Sequence, residues 1–143
     1  AGSLEDLAKD AKRRMTHLGA YLWSFNVSDN PYYMRLQHVT RGNGLCNGFF
    51  WGCLNRRSED LKLQFGDGHE DVERTVRYFH KDGVVLRYRF VCAKTRCKAN
   101  KGGLQASMTA KQRADEEVES GHRLVKEFPH LLSLLPGSVL GLK

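Results

Sequence analysis

The sequence predicts a single α+β domain: an N-terminal helix, an antiparallel sheet of about four or five strands, and a C-terminal helix. Three observations lead there. Helical periodicity marks both ends of the chain, period-2 alternation marks its middle, and turn residues punctuate that middle at short intervals. At 143 residues, 41% hydrophobic and 27% charged, the chain can bury a core without staples and is not a disordered composition. Ala1-Gly2-Ser3 reads as a remnant of a cloning tag, and residues 129–143 as an apolar tail.

The first helix rests on a capping box, Ser3 followed by Asp6, and on Leu4, Leu7, Ala8, Ala11, Met15 and Leu18 along one face. Gly19 is its predicted stop. An aromatic segment over 21–25 and a turn at Asp29-Asn30-Pro31 precede a predicted strand over 32–40, broken by Gly42-Asn43-Gly44. A second apolar run covers 45–54, in which parity makes Phe50 the candidate exposed aromatic. Residues 61–65 alternate before the turn Gly66-Asp67-Gly68. Residues 72–80 and 84–92, joined by Lys81-Asp82-Gly83, predict a hairpin on the strength of the Asp-Gly pair. Thr109 is the predicted cap of the last helix, with Ala110, Ala114, Val118, Val125 and Phe128 as its buried stripe. Gly121 is a candidate interruption and Pro129 the end.

Charge gives the functional expectation. The formal net charge is +7, and it is segregated. Residues 83–114 contain no acid, yet they hold Arg87, Arg89, Lys94, Arg96, Lys98, Lys101, Lys111 and Arg113. A one-signed stretch creates a field that attracts phosphates. Arg87 and Arg89 share a strand face by parity, and Lys111 and Arg113 occupy a helix start, where free N–H groups also favour an anion. The expectation is a nucleic-acid-binding domain, RNA or DNA, acting inside the cell, in nucleus or cytoplasm. Two alternatives stand beside it: an interaction or dimerisation module using the apolar tail, and a secreted disulfide-bonded basic protein such as a nuclease or heparin binder. No run of apolar residues is long enough to span a bilayer. Asn26-Val27-Ser28 matches the glycosylation sequon.

The four cysteines fall in two pairs. Cys46, Cys53, Cys92 and Cys97 form one candidate structural zinc set, and Cys92, Cys97, His122 and His130 another. Free thiols and disulfides are the other readings, and the cations around Cys97 mark it as the reactive thiol or ligand. Tyr88-Arg89-Phe90-Val91-Cys92, followed by Cys97-Lys98-Ala99, resembles the strand and Cys-x4-Cys knuckle of FLYWCH and WRKY-type zinc domains, although their closing His-x-His has no counterpart here. The helix–strands–helix order, with residues 109–114, also resembles the basic helix start of double-stranded RNA-binding domains. No phosphate-binding, hydrolase, metalloprotease or dinucleotide motif occurs, so the chain is expected not to be an enzyme. His38 and His80 could face each other across a sheet, and Asp67, His69, Glu70 and Asp71 are a minor acidic cluster.

Overall fold

The computed structural model describes residues 2–35, 37–95 and 107–143. Helix α1 spans Leu4–Leu18. Its capping box forms as predicted: Ser3 Oγ accepts from the Asp6 N–H, and the Asp6 carboxylate accepts from the Ser3 N–H. Gly19 ends it in the left-handed region at φ 69°, where a side chain would be strained. Ala11 and Met15 are the buried residues of its inner face.

That face packs on a four-stranded sheet ordered β2-β4-β1-β3, with β1 at Leu22–Phe25, β2 at Val39–Thr40, β3 at Trp51–Cys53 and β4 at Leu86–Tyr88. The sheet is mixed, because β4 runs antiparallel to β2 but parallel to β1. Trp23, Phe25, Leu86 and Tyr88 meet α1 on one face. Trp23 crosses Phe25, Phe50 and Tyr88 edge-on, and a Cβ on Gly52 would overlap its indole nitrogen, so β3 passes Trp23 only with a glycine there.

The α+β class stands, but the expected hairpin does not. Residues Glu70–Asp82 form helix α2, and Gly83 is its left-handed cap at φ 71°, its N–H donating to the Phe79 carbonyl. The Asp-Gly pair that signals a tight hairpin turn also ends helices, and here the helix takes it. Acids in the first turn, His80 and Lys81 in the last, and an apolar stripe through Val72, Val76 and Phe79 all favour the helix. A strand parallel to β1 then follows, as a helical crossover permits and a hairpin cannot.

Helix α3 spans Ala110–Glu127, capped by Thr109 with Gln112 in a second capping box. Gly121 does not interrupt it. It is buried, close to His69 and Leu140, which shows why a small residue suits the contact. Val118, expected in the buried stripe, is 45% exposed, because burial begins only at Ser120 and continues through Leu124 to Phe128. The apolar tail is a hairpin, β5 at Leu132–Leu135 against β6 at Val139–Leu142. It packs with α2 and α3 through Val72, Val76, Leu124, Phe128 and Leu132.

Three other strand expectations are mostly loop. Among the described residues of 32–40 only Val39–Thr40 is strand, of 45–54 only Trp51–Cys53, and 61–65 holds the end of a 3-10 turn at Glu59–Leu61. Phe50 is not the exposed ring, since it stacks on Phe25 at 3.8 Å and leaves Trp51, at 39% exposure, outermost. The sequon residue Asn26 is 2% exposed and its amide donates to the Ser28 carbonyl, so the folded chain does not present it to a glycosylating enzyme.

Candidate nucleic-acid interface

On the sheet face opposite α1, β4 begins apolar and ends cationic. Val85 is fully buried with Leu22 and Cys46, beneath Tyr78 and Phe79 of α2. Arg87 follows on the same face, and Arg89, in the turn directly after β4, is near enough for its charge to act on Arg87; both are half-buried. Burial, then the neighbouring charge of Arg89, push the Arg87 guanidinium below its ordinary pKa. Neither arginine has a carboxylate partner among the described residues, and the Nε of each is buried without an acceptor. A Cβ on Gly44 would stand 3.0 Å from Arg87 Cζ, so the bare backbone of that loop lets the guanidinium lie against it.

A third arginine, invisible to the strand reading of residues 72–80, joins them from α2. Arg74 pairs with Glu70 at 2.6 Å, stacks over the Trp51 ring at 4.0 Å, and leaves Nη1 buried and unpaired. Between Arg74 and Arg87 lies Cys46, whose N–H donates to Thr75 Oγ1 at 3.0 Å. Burial pushes the Cys46 thiol up to about 11, although Ser24, Arg87, Thr75 and Arg74 all pull it down. The sequence signal for Arg74 was the Glu70–Arg74 spacing of four, readable only once the segment is taken as a helix.

Lys94 is exposed beyond β4, Lys111 is exposed and Arg113 half-buried in the first turn of α3, and Arg96, Lys98 and Lys101 lie outside the described residues. Tyr32 and Tyr33, at 64% and 51% exposure, are further surface aromatics, with Arg35 over the Tyr32 ring at 5.0 Å.

The cysteines occupy separate environments. Cys46 is buried, Cys53 exposed on the edge strand β3, and Cys92 half-buried, all three as free thiols. Burial, then the charge of Asp29, raise the Cys92 thiol. Cys97 lies outside the described residues. In the alternative zinc set, His122 is exposed on α3, whereas His130 contacts His80. Among the described residues, no group of three or more His, Cys, Asp or Glu is placed to hold a metal ion. His38 and His80 do not face each other across the sheet, because His80 belongs to α2.

A cleft of about 500 Å³ opens between α1 and the β2 edge, lined by Asp10, Arg14, His38 and Tyr88 among others. Burial favours a raised Asp10 pKa, but the Tyr88 hydroxyl, donating at 2.6 Å, and the Arg14 and Arg13 guanidiniums hold it down at about 2. The Tyr88–Asp10 bond ties α1 to the sheet. No helix among the described residues is long and apolar enough to cross a membrane. No protein family, curated protein or solved structure matches this chain.

Proposed function

We propose that this chain binds nucleic acid through the cationic end of β4, with Arg87 and Arg89 as its centre. One observation carries the reading: two half-buried guanidiniums lie side by side with no carboxylate among the described residues to balance them. Like charges so placed cost stability unless an anion completes the site. Phosphate is the anion that guanidinium geometry suits best. Arg74 on Trp51 and the exposed Lys94 widen the basic area, and exposed rings offer surfaces for bases to stack. A structural zinc held in part by Cys92 and Cys97 belongs to the same proposal.

The experiment is a salt series of fluorescence anisotropy with labelled single- and double-stranded RNA and DNA. Replacing Arg87 and Arg89 with glutamine should weaken binding. If each contacts one phosphate on a single strand, the slope of log K against log salt falls by about 1.4. Unchanged affinity and slope in the folded double variant would reject the assignment.

A second reading is favoured by the β5–β6 hairpin, where Leu134, Leu135 and Val139 are 37%, 49% and 56% exposed. Such apolar exposure suits contact with another protein or a second copy. Solution mass unchanged by a triple serine replacement, with partner capture also unchanged, would count against it.

A further inference from the structure

We infer that His80 and His130 form a two-imidazole site for a borderline transition-metal ion such as nickel(II) or zinc(II). His80 Nδ1 and His130 Nε2 stand 3.1 Å apart, and both rings are exposed. Two imidazole nitrogens at the usual metal distance of about 2.0–2.1 Å occupy neighbouring corners of an octahedron or a tetrahedron about 2.9–3.4 Å apart. The observed separation lies inside that span. A hydrogen bond gives the same distance, so the test must tell the two apart.

The rings are also held in place. His80 sits in the last turn of α2, a rigid element. His130 follows Pro129 at the corner after α3, where the Leu131 and Leu132 N–H groups both donate to the Phe128 carbonyl at 3.0 and 2.9 Å. Phe128 is 4% exposed and contacts both imidazoles, at 5.6 Å from the His80 ring and 6.5 Å from the His130 ring. Preorganised ligands on separate elements are what a metal site needs. The neighbouring charges are balanced: Lys81 is paired with Asp60, and Arg77 with Glu127. No third protein ligand converges among the described residues, so water completes the shell. Metal there would link the end of α2 to the corner that starts the hairpin, and acid would release it because protonated imidazole cannot ligate.

The test is titration of the full chain with nickel(II), followed by thermal melting. At about 100 times the dissociation constant the ion should raise Tm by roughly 5–10 °C. H80Q and H130Q should each melt near the metal-free wild type and lose the shift, with affinity down at least about ten-fold. H122Q should keep it. In the wild type, paramagnetic nickel should broaden the ring signals of His80 and His130 but not those of His38 or His122. Survival of the shift in H80Q or H130Q, no shift in the wild type, or broadening centred on other histidines would each overturn the site.

Discussion

Glu73 is the polar group on which the α2 half of the molecule turns. Its side chain is 1% exposed in a helix whose other face is apolar. One carboxylate oxygen accepts from the Gln64 N–H at 2.6 Å and the Phe65 N–H at 2.9 Å, while the other accepts from Arg77 Nε at 3.4 Å. Glu73→Ala strips all three. Gln64 is exposed and can bond water instead, whereas Phe65 is half-buried and Arg77 is 4% exposed. Arg77 keeps Glu127 at 2.9 Å, so its charge is not wholly orphaned. Breaking a buried pair from one side costs about 3–5 kcal/mol. For a chain of this size that is a Tm loss of roughly 10–15 °C. Glu73→Gln keeps an acceptor but loses the charge, and should cost about 1–2 kcal/mol. Urea melts give both values, with the midpoint moving and the slope constant. A loss below about 1 kcal/mol for Glu73→Ala, or strict additivity with Arg77→Met, would refute the reasoning.

Two further outcomes follow from the pKa shifts. Asp10 is held at about 2 when folded against 3.8 when free, so its contribution is present above pH 4 and vanishes as pH falls through the folded value. With its side chain 30% exposed, screening leaves about 1 kcal/mol, and Tyr88→Phe should shrink the acid-limb slope in melts between pH 5 and 2. A Tyr88→Phe profile that overlays the wild type would sink this account. Cys46, buried with its thiol at about 11, should resist Ellman's reagent until the chain unfolds, while exposed Cys53 reacts at once. Equal reaction rates for the two in the native protein would contradict the burial.

Both flanking helices were legible in the sequence because their ends carry redundant signals. Ser3 with Asp6 and Thr109 with Gln112 satisfy orphan backbone groups reciprocally, and each pairing lies within four residues. The middle was not, because its signals are ambiguous locally and settled by distant packing. Lys81-Asp82-Gly83 serves a hairpin or a helix end equally well, and β-branched Val72, Thr75 and Val76 bias the segment towards strand. The contacts of Val72 and Val76 with Leu124 and Phe128 tip it to helix. The site was half legible. Strand parity put Arg87 and Arg89 together; β4 carries Arg87 but ends at Tyr88, and Arg89 stands in the turn that follows. Arg74 on Trp51 depends on α2 and β3 meeting, which no local pattern encodes.

The parallel pairing of β4 with β1 explains why the two arginines lack partners. It requires α2 to cross one face of the sheet, and Tyr78 and Phe79 seal that face over Leu22 and Val85. The acids of the first turn of α2 are already used: Glu70 by Arg74, Asp71 by the Val72 N–H, and Glu73 by the loop and Arg77. None of these three is left to balance Arg87. An internal counter-ion can be supplied from the other side, because Thr40 on β2 is the cross-strand partner of Arg87. Thr40→Glu places a carboxylate on the edge strand beside the guanidinium, an opposite-charge pair worth about 0.2–1 kcal/mol. It should raise Tm slightly and weaken nucleic-acid binding together, since the new carboxylate competes with phosphate for one guanidinium. Thr40→Gln, which adds bulk without charge, should do neither. If Thr40→Glu stabilises the fold yet leaves the salt slope and affinity as in the wild type, Arg87 is not a phosphate contact and the interface must be sought elsewhere.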